Sequence, residues 1–575
     1  MKKIGLVALA AILACSSVAC NTRGGGEKID KNKTQLFVTT FEGGYGSEWL
    51  DAIKARFEAQ YANVSFESGK TGVQVLIKDD RNLTNELLTQ NLAGSSQEVF
   101  FTEAVNYYDL QERGLLYDIS DAVTKPINYD FNSQTTVEGE ETVSLENKMS
   151  DLHKEYYKAD DGKYYGIPFY EANYGIVYDV DLFEKEGLYL AAPGEGNSMG
   201  FIKNEKTARS AGPDGKTGTA DDGLPATYDE FFQLCDYMVE MGITPITWGG
   251  KTPHYVNVLV EALQADYEGE ANMRLNYTFD GTATNLVESI NADGTLNLYS
   301  ETITPENGYL TWTKQAGRYY GLKFVERLTA NSKYYVRKDV ISPSFEHLEA
   351  QNAFLTGKFL SNKPTIAMLI DGSWWHNEAG PMFDAAAKEF TEAKAGEMAR
   401  RFSFMPLPKA TADKVGEGYT VMDVNSSICF VNGNLNPKKE ALVKEFLQFC
   451  HTNQSLAEFT SMTYTCKPYT YTMTQEELNA MPYWGQELYR LHNEAHFIST
   501  YSKSPIYKAN AGKFTEHFNA IMYQSKVGNS THTVVPTAML EDGVSAIEYF
   551  NGLSAHLTAD RWTREFLNVG TEETE

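Results

Sequence analysis

Residues 371–375 read Asp-Gly-Ser-Trp-Trp and combine a carboxylate with two indoles. A sugar ring stacks its C–H face on an aromatic plane, while carboxylates and amides take its hydroxyl groups. Trp248 follows an apolar run in a similar way. Because aromatic residues make up 13% of the chain, packing in the core is the alternative for each indole. The pattern predicts ligand contacts from Asp371, Trp374, Trp375 and Trp248, with Trp374 favoured within the adjacent pair.

Residues 214–223 form a second group with chemical potential, because they read Asp-Gly-Lys-Thr-Gly-Thr-Ala-Asp-Asp-Gly. Clustered oxygen ligands on a glycine-rich loop suit a hard cation such as Ca²⁺. The loop is not an EF-hand, since the bidentate Glu at the twelfth position is missing. We predict a structural calcium ion held by Asp214, Thr219, Asp221 and Asp222, with a solvated acidic turn as the alternative.

Two sequence patterns typical of catalytic sites occur, but the surrounding residues do not fit the corresponding motifs. Residues 196–200 match the nucleophile-elbow string but lie in a loop that contains Pro193 and Gly194, not at a strand-to-helix turn. His492 and His496 have metalloprotease spacing, yet Asn493 stands where that motif needs a Glu. The sequence contains neither a phosphate-binding P-loop nor a dinucleotide fingerprint. No catalytic residue and no catalytic cofactor are therefore predicted.

The elements that position these residues alternate between strand and helix. An apolar run at 35–41 predicts a strand, glycines at 43–46 predict a turn, and apolar residues from 50 to 61 recur with helical spacing after an N-cap at Ser47. Strands at 73–77 and 99–101 then alternate with helices at 83–92 and 107–116. This alternation predicts an α/β lobe with a largely parallel sheet.

Ligands of α/β sheets bind beyond the carboxyl ends of the strands. Glu42 and Tyr45 follow the first predicted strand, and Glu103 follows the strand at 99–101. We therefore predict that these three residues face a binding cleft, with capping or loop packing as the alternative.

A second α/β block spans about 176–405. It contains buried-strand patterns at 243–248 and 365–371 and helical patterns at 231–241 and 319–328. Asn436 and Pro437 then begin a further helix. The polar stretches 132–147 and 268–307 have little periodicity, so we interpret them as additions to the lobe surfaces whose role the sequence does not show.

Length and charge limit the architecture and the partners. The chain has 575 residues, and single hydrophobic cores stop growing near roughly 250 to 300 residues, so two lobes are expected. Its formal charge is −27, or −29 without Lys2 and Lys3, which disfavours nucleic acid as a partner. The cysteines show no metal-binding or disulfide-rich spacing, and a Cys450–Cys466 bridge stays open.

Residues 1–20 have the pattern of a secretory signal that ends in a lipobox. Two lysines precede an apolar run at 4–14, and Ser-Val-Ala-Cys follows at 17–20. The apolar run is shorter than the roughly 20 residues that a membrane-spanning helix needs. We predict a signal peptide at 1–19, lipidation of Cys20 and a tether at 20–34, with cleavage before Cys15 as a weaker alternative.

Five segments together resemble the extracellular solute-binding lipoproteins of carbohydrate ABC transporters, in the group that includes maltose-binding protein and in its Gram-positive form. The resemblance covers most of the mature chain and rests on the order and spacing of residues 42–49, 99–103, 164–178, 367–375 and 441–453. The acidic loop also resembles calcium loops of Gram-positive members.

This resemblance implies a two-lobe α/β fold of the periplasmic-binding-protein type (type II), with a hinge and a central ligand cleft. It places the lobe crossings near 168–174, 419–428 and 480–490. Lobe 1 then comprises 35–170 and 421–485, and lobe 2 comprises 171–420 and the C-terminal helices at 486–575. Glu171 and Asn173 lie on the expected hinge strand, where they serve either as hinge or as ligand contact, and a Trp at position 374 is the usual stacking platform.

The implied function is the capture of an oligosaccharide by hinge closure and its delivery to ABC permease subunits. The protein is expected to be a monomer, lipid-anchored on the outer face of the cytoplasmic membrane. A secreted glycoside hydrolase and a cell-surface glycan adhesin without a transporter are the alternatives. The sequence does not identify the sugar.

Overall fold

The structure is a computed structural model that describes residues 27–80, 85–94, 96–103, 105–138, 141–203, 205–391, 394–423, 427–514, 527, 530 and 532–567. The predicted signal peptide and Cys20 lie outside these residues. Among the described helices, none is both long and apolar enough to cross a membrane.

The strands, in chain order, are β1 Thr34–Phe41, β2 Val73–Asp80, β3 Val99–Thr102, β4 Tyr129–Asp130, β5 Thr135–Thr136, β6 Gly166–Pro168, β7 Tyr174–Asp179, β8 Tyr189–Leu190, β9 Phe201–Ile202, β10 Thr244–Thr247, β11 Gly281–Ile290, β12 Leu296–Ile303, β13 Ile366–Gly372, β14 Phe402–Met405, β15 Thr420–Asp423, β16 Ile428–Val431 and β17 His496–Ser499.

The helices are α1 Glu48–Gln60, α2 Asn85–Gly94, α3 Tyr107–Glu112, α4 Ser120–Thr124, α5 Leu145–Lys148, α6 Asp151–Tyr157, α7 Val180–Glu186, α8 Tyr228–Glu240, α9 His254–Met273, α10 Leu275–Thr278, α11 Tyr309–Lys314, α12 Ala316–Ala330, α13 Arg337–Val340, α14 His347–Thr356, α15 Trp375–Glu378, α16 Gly380–Glu389, α17 Glu440–Phe449, α18 Asn453–Thr463, α19 Gln475–Ala480, α20 Tyr483–Glu494, α21 Pro505–Ala509, α22 Ala511–Phe514, α23 Val535–Asp542, α24 Ala546–His556 and α25 Ala559–Trp562.

The described chain divides into two compact units. Unit 1 takes its residues from Met1–Glu171, His376–Ala385 and Asn425–His492, and unit 2 from Ala172–Trp375, Ala386–Val424 and Asn493–Glu575. The breaks predicted after 170, 420 and 485 each lie within seven residues of one of these divisions. The short return of the chain to unit 1 at 376–385 was not predicted, because it follows a helix start rather than a change of composition.

Unit 1 contains a five-stranded sheet in the order β2-β1-β3-β16-β6. β1 is buried along most of its length and pairs in parallel with β2 and β3, as a central strand of apolar and β-branched residues does. The largely parallel sheet predicted from the sequence is only partly correct, because β16 pairs antiparallel with both β3 and β6. The alternation of strands and helices in the first segment of unit 1 cannot predict β16, because that strand comes from a later segment of the chain.

Unit 2 contains a four-stranded sheet in the order β10-β13-β7-β14. β10 and β13 are parallel, and β7 pairs antiparallel with β13 and β14. The carboxyl ends of β10 and β13 therefore lie at the same edge as the first residue of β7, Tyr174, which pairs with Gly372.

The two polar stretches are structured in part: β5 lies in the first, and the second includes the antiparallel hairpin of β11 and β12. Ser47 takes the N-cap position of α1, but its side chain makes no capping hydrogen bond. Cys450 and Cys466 are both free and buried, so the bridge left open above is not formed here.

Candidate functional site

Unit 1 brings predicted site residues to one edge of its sheet. Because β1 and β3 are parallel neighbours, Glu42 and Glu103, which follow them, lie at the same edge. The hydroxyl of Tyr45 donates a 3.0 Å hydrogen bond to the carbonyl oxygen of Glu171. Tyr170 packs its ring edge-on against Tyr45, with 4.7 Å between ring centroids, and its hydroxyl donates to the Glu103 carboxylate.

Glu103 has a perturbed acidity. Burial raises the pKa of Glu103 to about 7, although the hydrogen bond from Tyr170 acts in the opposite direction. Near neutral pH this carboxyl group is therefore present in both protonation states, so it can donate as well as accept a hydrogen bond. Such a group can therefore accept a hydrogen bond from a ligand hydroxyl or donate one to it.

Unit 2 carries an aromatic cluster at the carboxyl edge of its sheet. The indole of Trp374 contacts the ring of Tyr174 edge-on, with 4.7 Å between centroids, and Tyr255 lies 5.1 Å from Tyr174 and 6.3 Å from Trp374. These three rings retain exposed fractions of 7 to 9%. Tyr174 begins β7, and Tyr255 lies in the first turn of α9, which follows β10. The three residues form what we call the aromatic cluster.

The position of Trp374 depends on Gly372. A Cβ at Gly372 would lie only 2.3 Å from Cη2 of Trp374. The missing side chain makes room for the indole itself. The two tryptophans are also not on a strand, since Trp374 lies in a turn after β13 and Trp375 begins α15.

Three predicted ligand contacts occupy core positions. Trp375 has no exposed surface and packs between Phe354 and Phe402. Trp248 is equally buried, next to Tyr335. The two carboxylate oxygens of Asp371 accept hydrogen bonds from the Gln351 side chain at 3.1 Å and from the Gly372 N–H at 2.7 Å. Their burial and their partners favour packing and positioning over ligand contact.

Asn173 differs from these core residues. Its N–H donates to the Ser373 hydroxyl, and its carbonyl accepts from the Ser373 N–H at 2.8 Å, which ties the residue to the turn that carries Trp374. Its side-chain Oδ1 is buried and has no hydrogen-bond partner among the described residues. A buried amide oxygen without a partner is costly, so this atom is suited to accept from a ligand.

No protein-family model matches the sequence, and no curated protein matches it. Solved structures are similar over nearly the whole chain. The apo form of RafE from Streptococcus pneumoniae matches with a TM-score of 0.54 and 14% identity, over 93% of this chain and all 100% of RafE. A chitin oligosaccharide binding protein gives 0.52 and 16%, over 93% and 100%. RafE in complex with raffinose gives 0.51 and 14%, over 92% and 100%.

This chain has the fold of the extracellular solute-binding proteins. The predicted two-lobe α/β class is thereby confirmed. Within this solute-binding fold, each unit carries its own set of polar and aromatic residues at a sheet edge. The sequence analysis did not select Tyr174 or Tyr255 as members of the aromatic cluster. Tyr255 follows β10 in the first turn of α9, which is a signal that the sequence offers, whereas Tyr174 reaches this edge only because β7 runs antiparallel to β13.

The acidic loop of this solute-binding fold lies in unit 2 and folds around the Thr219 hydroxyl. This oxygen lies 2.7 Å from Oδ1 of Asp221, 3.3 Å from Oδ1 of Asp222 and 3.5 Å from Oδ1 of Asp214. The carbonyl oxygen of Lys216 is 3.1 Å away. Burial raises the pKa of Asp221, and the charge of Asp214 adds to the rise, while hydrogen bonds from Thr219 and the Asp214 N–H oppose it. The predicted oxygen ligands are thus brought together.

Unit 2 also has a cavity of about 580 Å³ next to α8 and α12, apart from the predicted contacts. Arg327 covers the ring of Phe232 there, 4.4 Å from its centroid, and pairs with Asp229. The Phe232 ring is therefore already covered on that face.

Proposed function

We propose that this protein is a lipid-anchored extracellular binding protein that captures an oligosaccharide and delivers it to an ABC permease. Its fold supports the proposal, since similar solved structures include a chitin oligosaccharide binding protein and RafE in complex with raffinose. The observation that carries it is the aromatic cluster at the edge where α/β sheets bind ligands. Indole and phenol rings supply the faces and edges on which sugar rings pack.

In the proposed mechanism, the ligand engages residues of both units and thereby favours a closed form over an open one. A ligand shifts such an equilibrium only by its difference in affinity for the two forms. Hinges are a few residues at element ends that absorb the change in backbone angles. The segments at Glu171–Ala172 and His492–Asn493, where the chain passes between units, are suited to that role.

Titration of the mature protein with oligosaccharides is the test. Raffinose and chitin oligosaccharides are the first probes, followed by a glycan array. We expect binding by calorimetry and a smaller radius of gyration by solution scattering when the matching sugar is bound. Micromolar binding without compaction would reject hinge closure. Cleavage of the sugar in an overnight digest would favour a glycoside hydrolase, and binding without neighbouring permease genes would favour an adhesin.

Lipid anchoring gives a separate prediction. Because Cys20 is the residue that would carry the lipid, Cys20→Ala is expected to move the protein from the membrane fraction of a Gram-positive host to the soluble fraction and the medium. Cys15→Ala is the matched control and should leave the protein anchored. Continued membrane association of the Cys20 variant, with palmitate still incorporated, would show that the lipidation site was misassigned.

We further propose that the acidic loop holds a structural calcium ion. The side chains of Asp214, Thr219, Asp221 and Asp222 would supply the oxygens, together with the Lys216 carbonyl. Hard oxygen donors on a flexible loop are what calcium prefers. An ion would offset the mutual repulsion of the three carboxylates, and its role here would be to stabilise the fold.

Chelation tests this site. Binding to the folded state alone stabilises it by about 2.7 kcal/mol at a hundredfold excess of free ligand over the Kd. EDTA is therefore expected to lower the melting temperature, and calcium, added in excess of the chelator, to restore it. Asp222→Asn should remove most of this response, whereas Asp229→Asn, an acidic residue of the same unit outside the loop, should keep it. An unchanged melt after thorough chelation would make the loop a solvated acidic turn.

A further inference from the structure

Three potential metal ligands of unit 1 converge in its interior. One carboxylate oxygen of Glu171, Sγ of Cys466 and a ring nitrogen of His492 all lie within 4.8 Å of one another. Glu171 and Cys466 are buried, and His492 is nearly so. Among the residues that the structure describes, no other group of three His, Cys, Asp or Glu side chains is arranged in this way.

Backbone contacts hold the three residues in place. The N–H of Glu171 donates a 2.9 Å hydrogen bond to the carbonyl oxygen of Cys466. Nε2 of His492 lies 3.1 Å from the carbonyl oxygen of Tyr469, and because a carbonyl can only accept, this nitrogen carries a proton. Nδ1 is then directed at the Glu171 carboxylate, 2.9 Å away. A ring whose outer N–H is fixed by a backbone carbonyl is the usual arrangement of a metal-binding histidine.

Two simpler roles account for less of this geometry. A Cys-His nucleophile would need a ring nitrogen on the thiol, but both nitrogens of His492 face other groups. Burial also raises the pKa of the Cys466 thiol far above its usual range, which opposes thiolate formation without a cation. A plain Glu171–His492 ion pair explains two of the three groups, and in that account the thiol only donates a long hydrogen bond to the carbonyl oxygen of Leu488, 4.0 Å from Sγ.

We propose that Glu171, Cys466 and His492 bind a zinc ion. Thiolate, imidazole and carboxylate are the three ligand types that zinc takes in proteins, and a thiolate disfavours calcium and magnesium. On binding, the thiol proton and the proton shared by Nδ1 and the carboxylate leave to solvent. The two negative ligands then balance the 2+ charge, and the fourth position of the tetrahedron stays open.

The ion would join two of the points where the chain leaves unit 1. Glu171 and His492 are the last residues of two segments of this unit, and Cys466 lies in the segment that follows α18. Zinc would thus fasten two segment ends to the interior of unit 1 and stabilise its folded form. This inference does not depend on whether the protein binds a sugar.

Cobalt provides a direct test, because Co²⁺ occupies tetrahedral zinc sites and absorbs in the near ultraviolet only when a thiolate binds it. The purified mature chain, saturated with calcium to fill acidic sites, is titrated with Co²⁺ and then with Zn²⁺. We expect a thiolate-to-cobalt band that saturates at one equivalent and disappears when zinc is added. Cys466→Ser should abolish the band, while Cys450→Ser, which removes another buried thiol of unit 1, should leave it intact.

A second measurement covers the case in which Cys466→Ser fails to fold, as judged by circular dichroism. Zinc affinity is measured by competition with a chromophoric chelator for the native chain, Glu171→Gln and His492→Gln. Each variant is expected to bind zinc at least about 100-fold more weakly, because even supporting partners of a ligand contribute 10- to 100-fold. The proposal would be overturned if the native chain gave no band, or if the band survived Cys466→Ser or was lost in Cys450→Ser. It would also be overturned if zinc affinity were unchanged in both Gln variants.

Discussion

Trp375→Ala is expected to lower the free energy of unfolding by about 3 to 5 kcal/mol, as other large-to-small changes at buried aromatic positions do. Its indole has no exposed surface and packs between Phe354 and Phe402, so truncation leaves a cavity that these neighbours fill only in part. Trp374→Ala should lower the free energy of unfolding by less, because its indole lies at the sheet edge and keeps 9% of its surface exposed. It should also weaken sugar binding by about 1 to 3 kcal/mol, by analogy with base stacking on aromatic side chains. Thermal melts and calorimetric titration of both variants separate the two effects.

Trp312→Ala is a matched control for the core effect. Trp312 is fully buried in unit 2, and its indole N–H donates to the carbonyl oxygen of Asn276 rather than facing the aromatic cluster. It should destabilise the fold as much as Trp375→Ala, with sugar affinity unchanged in the fraction that stays folded. If neither Trp374→Ala nor Trp375→Ala weakens binding, the aromatic cluster is not the ligand platform.

The parts of this fold that could be predicted are those determined by local sequence. The runs at 35–41 and 365–371 are apolar without interruption, which is typical of strands buried on both faces, and both form strands in the structure. The rule that ligands bind beyond the carboxyl ends of strands then selected Glu42, Tyr45 and Glu103 without any structure. These predictions needed only the residue types and their spacing over about ten positions.

The rest of the site depends on contacts between distant residues. The carboxylate of Glu171 meets His492 across 321 positions, and nothing in either segment indicates the other. Tyr255 joins Trp374 because α9 begins beside the end of β13, which only the sheet order determines. Gly372 shows the same limit of prediction from sequence. The space beside it could hold a sugar or the indole of Trp374, and only the rotamer of Trp374 shows which.

Substitution of Lys467, in the core of unit 1, is expected to have the second large effect on the free energy of unfolding. Its ammonium group is fully buried and lies 4.8 to 5.4 Å from the ring centroids of Trp49, Phe101, Phe169 and Phe459. Nζ has no hydrogen-bond partner among the described residues. Cation–π contacts offset about 0.5 to 2 kcal/mol each, which is less than the cost of removing an unpaired cation from water. Burial accordingly lowers the pKa of Lys467 to about 8.

Lys467→Met is therefore expected to stabilise the protein, by about 2 kcal/mol in the free energy of unfolding. A methionine of similar length fills the same aromatic cage without a charge, and replacing buried ionic groups by apolar ones of similar volume gains about 1 to 4 kcal/mol in other proteins. Lys148→Met is the matched control, because Lys148 is also buried but donates to the carbonyl oxygen of His451 at 2.8 Å and pairs with Glu141. The control should destabilise the fold, since it removes the ammonium group that donates to both acceptors. Urea unfolding of both variants decides the matter: a loss of stability in Lys467→Met would mean that the ammonium group contributes more within its cage than it loses by leaving water.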